Sequence, residues 1–433
     1  MTQLERRIGV PGAVAIGLGA MIGAGLFFVW APAALLAGPM LPAAVALAAA
    51  IAVLNALSTA QLAMRHPVSG GAYAYGRAEV GERVGFAAGW MFLTGKTASA
   101  AAIAVIAGQH LWPEHARWVA AAAVALLAAL NMLGVRVTAW VSSGIVALVL
   151  VAVPGALGWA AAGPPTAEPD GVLALLPPAS ALPSGDFGFV GGTDDFGLVG
   201  GSAAGPFGWL TAAGMLFFAF AGYARMATLG EEVREPRRTL PVAIVAALAV
   251  VLALYAAVAW ATSARLGPDL IFSATPLADL VGHPALHAVM LGAGALACLG
   301  SLMGILAGLS RTGLAMARNR DLPGPLSRIA ARTRTPVLAE AAVALVAIAA
   351  ALLLPAGSLV AFSSTCVLVY YAIAHVAAMR MRGRAQRLWL PVWIPWLGVV
   401  ACLGVVLTLP WQGVVGAAAW LALGLGARAL LPR

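Results

Sequence analysis

From Ile8 to Met64 the chain carries no Asp, Glu, Lys or Arg. About 20 apolar residues suffice to cross the hydrocarbon core of a bilayer as a helix, so this run is long enough for two crossings. Further charge-free runs extend from Trp118 to Val135, Val137 to Ala167, Thr239 to Ala264, Val281 to Ser310 and Leu388 to Ala427. Phe196 to Met226 is interrupted only by Arg225, Val84 to Pro113 is apolar around Lys96, and Thr335 to Met379 carries only Glu340 and His375. With 62% hydrophobic and 9% charged residues, the chain is a polytopic membrane protein. Splitting the longest runs at Gly38-Pro39, Leu354-Pro355 and Leu409-Pro410 predicts twelve helices and an all-α fold.

Orientation follows from the arginines, because positive residues are retained in cytoplasmic loops. With the N-terminus inside, the inner segments hold Arg6, Arg7, Arg65, Arg77, Arg83, Arg136, Arg234, Arg237, Arg238 and the sets Arg311–Arg334 and Arg380–Arg387. The outer loops hold only Arg117 and Arg265, beside several acidic residues. Both termini are therefore expected in the cytoplasm, with the protein in the plasma membrane. The net charge of +9 records this asymmetry and gives a nucleic-acid partner little support. No cleavable signal peptide is expected, since the first apolar stretch leads straight into a second.

Cys298, Cys366 and Cys402 lie in apolar spans at wide spacing, which speaks against metal and disulfide roles and for packing. Residues 163–205 form a Gly/Pro/Asp-rich outer loop with a tandem copy beginning at Asp186 and Asp195. It lacks the ligand density of a calcium loop and reads as a solvated expansion. Neither metal nor cofactor is expected. An enzyme would need a nucleophile with its base, or a metal cluster, inside the spans, and the inventory offers neither. A channel would need a charge ring or filter.

Lys96 is the single lysine among 25 lysines and arginines, and it stands mid-span. An ammonium at that depth costs at least about 2.5 kcal/mol unless it faces protein or water. Lysine, unlike arginine, can lose its proton when desolvated. Three readings stay open: a structural lysine, a fixed pocket cation that welcomes a carboxylate, or a titrating switch that couples transport to protons. It is expected to face inward beside span one or span eight.

Span one contains the run Gly19-Ala-Met-Ile-Gly-Ala-Gly-Leu-Phe27. Such glycines serve either close helix packing or a helix unwound over Ile22–Gly25, which frees backbone groups at mid-depth. Span six carries a second weak point, Phe217-Phe-Ala-Phe-Ala-Gly-Tyr223, at the matching place of a second set of five spans. Interrupted segments in matching positions of two halves point to a transporter binding site.

These motifs, with Arg65–Tyr75, Asn131–Val135, the Glu231-Glu232 to Arg237 segment and Ser310–Pro323, resemble the amino acid, polyamine and organocation (APC) transporters. The resemblance implies a LeuT-like fold of two inverted repeats, residues 1–162 and 206–387, followed by two further helices in 388–433. It implies a substrate carboxylate held by the amides of Gly23, Ala24 and Gly25, and an ammonium held by the carbonyls of Ile22, Phe218, Ala219 and Ala221. Phe220 or a neighbouring aromatic would cover the substrate beside Gly222. Two features depart from the family pattern. Val149 stands near the place where some members carry a lysine, and Ala224-Arg225 replaces an acidic position. Glu231 and Glu232 read as a solvated run, and Glu340 and His375 as interfacial. The expected function is secondary transport of neutral L-amino acids, with proton coupling and exchange both open. Carriers of acidic amino acids using Lys96, and a non-transporting amino-acid sensor, are the alternatives. Oligomeric state is not legible.

Overall fold

The computed structural model describes residues 6, 8–162, 207–228, 230–273, 275–381 and 390–430. The first charge-free run folds as α1 (Val10–Met21), α2 (Ala24–Phe28) and α3 (Trp30–Ala37). A 3-10 turn over Gly38–Met40, with Gly38 at φ +50°, then reverses the chain into α4 (Leu41–Arg65). Glycine reaches that positive φ without steric cost, and Pro39 cannot continue the preceding helix. A short α5 (Ala72–Glu79) leads to α6 (Glu82–Leu111), α7 (Ala116–Met132) and α8 (Val135–Ala162).

Beyond residues 163–206 the chain continues as α9 (Gly208–Phe220), a 3-10 segment Ala221–Tyr223 and α10 (Ala224–Ala227). It is followed by α11 (Pro236–Leu266), α12 (Pro276–Asp279), α13 (Pro284–Arg318), α14 (Val337–Leu353), α15 (Ala356–Arg380), α16 (Trp393–Val406) and α17 (Trp411–Leu430). Among the described residues there is no strand, only an isolated bridge between Ile8 and Val233. The expected breaks at Leu354-Pro355 and Leu409-Pro410 fall between α14 and α15 and between α16 and α17. The tandem copy at Asp186 and Asp195 lies outside the described residues.

Nine helical stretches among the described residues are long and apolar enough to span a membrane, and α7, α14 and α16 are shorter apolar helices. Burial ranks them. The α6 span is 89% buried and the α9–α10 span 78%, against 22% for α17, so the helices carrying Lys96 and the second interruption are central. α1 packs on α11, α13 and α8; α9 packs on α4 and α3; α6 lies among α15, α7 and α13. All three cysteines are buried and free, in keeping with a packing role.

Candidate functional site

The first interruption is shorter than Ile22–Gly25. Only Ile22 (φ −89°, ψ 36°) and Gly23 (φ −96°, ψ −136°) leave the helical region. Ala24 and Gly25 already begin α2, whose first turn closes through the Leu26 amide donating to the Gly23 carbonyl at 3.0 Å. The opening amides of a helix have no acceptor within it. In α2 those donors belong to Ala24 and Gly25, two of the three residues expected to hold a carboxylate.

The second interruption tightens instead of unwinding. Phe218, Ala219 and Phe220 form the last turn of α9, and the Ala221 amide donates to the Phe217 carbonyl where the 3-10 segment begins. Fewer carbonyls are therefore released than the glycine-aromatic pattern suggests, because a 3-10 turn keeps its own hydrogen bonds.

The two interruptions touch. A Cβ added at Gly25 would overlap Ala219 and approach the Tyr255 hydroxyl to 3.2 Å, and one at Gly222 would overlap the Ala20 carbonyl and Met21. Gly23 abuts Ser301 of α13 in the same way. The faces of Gly23, Gly25 and Gly222 are thus closed in this structure by Ser301, Ala219 and the Ala20–Met21 turn. Tyr255 of α11 ties the pair together. Its hydroxyl donates to the Met21 carbonyl at 2.7 Å and lies 3.4 Å from the Ala219 carbonyl. Its ring sits 4.6 Å from Phe220 and 5.8 Å, edge-on, from Trp30. Sequence reading missed Tyr255; its one signal is a phenol midway along a 31-residue helix whose other polar residues lie near its two ends.

Lys96 is 6% exposed. Its ammonium lies 5.8 Å from the centroid of the Phe218 ring, so its ring contact is with the second interruption and not with span one or span eight, although α6 also packs on α13. A cation over an aromatic face is attracted by the ring quadrupole. Among the described residues no acidic side chain pairs with it. Phe218, not Phe220, is thus the aromatic beside the lysine, while Phe220 is buried against Tyr255.

The arginine-rich end is closed by ion pairs that the sequence reading took for a solvated run. Arg311 Nε donates to Glu232 at 2.8 Å with both side chains under 5% exposed. Glu231 pairs with Arg318 at 3.2 Å and faces the Ser69 amide. The segment before α11 is pinned from the other side, where the Ile8 amide donates to the Glu232 carbonyl and the Arg234 amide to the Ile8 carbonyl. Around α5, Asp321 accepts from Tyr73, Arg77 and Arg428. Burial, and then the hydrogen bond to Asp321, raise the Tyr73 phenol above its ordinary value.

Two further expectations are corrected. Glu340 is 3% exposed, not interfacial, and accepts from Asn131, which links α14 to α7. His375 is fully buried and bridges Ser58 and Asn55 of α4. Both are polar groups whose partners come from distant helices, so span-end position alone misplaced them. A cavity of about 630 Å³ lies away from the interruptions, between α6, α14, α15 and α17, where its lining is mostly apolar.

The amino acid permease family model matches residues 8–422. An uncharacterized transporter of Mycobacterium tuberculosis is 44% identical over 98% of this chain and 91% of its own length. The branched-chain amino acid permease BcaP of Bacillus subtilis is 26% identical over 98% of this chain and 92% of its length. The vacuolar cationic amino acid transporter 2 of Arabidopsis thaliana is 31% identical over 88% of this chain and 60% of that protein. The relatives are transporters, not enzymes. A family match along nearly the whole chain, with relatives named as transporters and amino acid permeases, leads to one conclusion: this protein belongs to the amino acid permeases of the APC superfamily.

Proposed function

We propose that the protein carries neutral L-amino acids across the plasma membrane by alternating access, through a twelve-helix, LeuT-like 5+5 arrangement with both termini in the cytoplasm. The observation that carries the reading is the contact between the two helix interruptions, Gly25 on Ala219, with Lys96 beside Phe218. Amide donors at Gly23–Gly25 suit a carboxylate, and carbonyls at Ile22, Phe218, Ala219 and Ala221 suit an ammonium. A cation with no acidic partner disfavours lysine, arginine and polyamines as cargo. The Glu232–Arg311 and Glu231–Arg318 pairs act as the cytoplasmic gate, so the substrate space between the interruptions opens only when α1 and α9 part.

A second reading has its own observation. Lys96, buried and without a carboxylate partner among the described residues, would favour a second substrate carboxylate and hence acidic amino acids. Counterflow in proteoliposomes with a panel of labelled amino acids, with and without pH and sodium gradients, tests both. Leucine-like cargo supports the first, aspartate or glutamate the second, and binding without counterflow would turn the carrier into a sensor.

A further inference from the structure

Arg225 of α10 is 4% exposed, and its Nε and Nη2 have no hydrogen-bond partner among the described residues. Its Nη1 donates to Thr228 Oγ1 at 3.4 Å. Nε and Nη2 form one edge of the guanidinium, the edge that takes a carboxylate with two parallel N–H donations. A buried charged donor pair left empty is costly, and an empty pair on a transport path marks a place for something that comes and goes.

The position fits such a path. Arg225 follows the 3-10 segment Ala221–Tyr223, on the far side of the second interruption from Phe218. Gly222 in that segment abuts Ala20 and Met21, and Gly308 of α13 leaves just enough room for Arg225, its added Cβ falling 3.0 Å from Arg225 Cδ. The side chain is therefore held between spans six and eight, on the gate side of the interruptions. Glu232 and Glu340 act on its charge from nearby, as does Arg311. Glu232 accepts from Arg311 through Oε1, with Oε2 buried and without a partner among the described residues, and Glu340 accepts from Asn131. The Nε and Nη2 directions of Arg225 stay open among the described residues.

We propose that Arg225 is a second carboxylate station, which receives the α-carboxylate of the transported amino acid after it leaves the amides of α2 and before it passes the Glu232–Arg311 gate. The inference rests on the amino acid transport reading above and adds a release subsite to it. The carboxylate exchanges the Ala24 and Gly25 amides for the Nε/Nη2 edge, moving toward the cytoplasm without returning to bulk water.

The test uses oriented proteoliposomes and one labelled amino acid that the wild-type protein exchanges, with half-saturation measured separately from each face. Arg225→Gln should raise the ratio of cytoplasmic to outer half-saturation at least tenfold. Arg225→Lys should fall between, since an ammonium lacks the two-donor edge. Gly308→Ala, which crowds the guanidinium and keeps its charge, should shift the ratio the same way and serves if Arg225→Gln does not fold. An unchanged ratio, or equal losses on both faces together with lowered thermal stability, would reduce Arg225 to a counter-charge for Glu232 and Glu340. Absence of any amino acid exchange by the wild-type protein would instead overturn the transport reading itself.

Discussion

Arg311 and Glu232 form a buried ion pair at 2.8 Å, with the Glu232 carbonyl accepting in turn from the Ile8 amide. Removing one partner of such a pair leaves an uncompensated buried charge, at a cost of about 3–5 kcal/mol. Arg311→Ala should therefore lower the unfolding midpoint sharply and abolish counterflow. The double variant Arg311→Met with Glu232→Leu should recover most of the stability yet stay defective in exchange, because an apolar contact seals the end without being able to part and re-pair. Thermal denaturation followed by tryptophan fluorescence, alongside counterflow, checks both halves.

Gly25 meets Ala219 so closely that a single methyl overlaps it. Overpacking of this kind costs about 1–3 kcal/mol. Gly25→Leu should abolish amino acid binding, and Gly25→Ala should weaken it. Ala219→Gly, made on top of Gly25→Ala, should restore only part of the loss, because the added methyl still meets the residue-219 Cα at 2.6 Å. Equilibrium binding of a labelled amino acid to purified protein reads this directly; unchanged affinity in a folded Gly25→Leu variant removes the site from the interruption.

Lys96 reaches the second interruption through Phe218. A proton switch predicts that Lys96→Ala loses the pH response of transport while keeping exchange. A fixed pocket cation predicts altered choice between neutral and acidic substrates. Phe218→Leu removes a cation–π contact worth about 0.5–2 kcal/mol and should move whichever of these properties Lys96 governs. Uptake profiles across pH 5–9, taken with neutral and acidic amino acids, separate the two; wild-type behaviour of Lys96→Ala in every respect leaves the residue a structural role alone.

Tyr73 lies outside the spans and donates to Asp321 at 2.8 Å. Its phenol is raised in the folded state, chiefly by burial. The folded protein thus keeps a proton that the unfolded chain loses near pH 10. Stability from this group is fully present below that pH and declines above it, at up to about 1.4 kcal/mol per pH unit. Chemical denaturation between pH 8 and 11 should show the decline in the wild-type protein and a shallower one in Tyr73→Phe.

The three native cysteines are buried, so they should be silent toward a membrane-impermeant maleimide. A cysteine placed at Ser184, in the 163–205 segment, should label from outside in intact cells. Labelling only after the membrane is opened would overturn the orientation read from the arginines.

The apolar helices, their breaks at Gly38, Pro355 and Pro410, and the membership in a permease family were legible in the chain. Each depends on local facts: the length of a charge-free run, a proline's missing N–H, a glycine's access to positive φ. Lys96 could be singled out for the same reason, since a lone ammonium at mid-span is anomalous whatever surrounds it. Partners are another matter. That Tyr255 donates to Met21, that Glu340 is satisfied by Asn131, that His375 bridges Asn55 and Ser58, and that Glu232 is buried on Arg311 are contacts between residues far apart in sequence. A charged residue near a span end has the same local signature whether it meets solvent or a distant helix, and only packing distinguishes them. The two interruptions show the same division. The glycines located them, but how far each helix opens was decided by what fills the space: Ser301 against Gly23 and Ala219 against Gly25 allow only two residues to leave the helix in α1–α2, and the Ala20 carbonyl against Gly222 accompanies a tightened turn in span six.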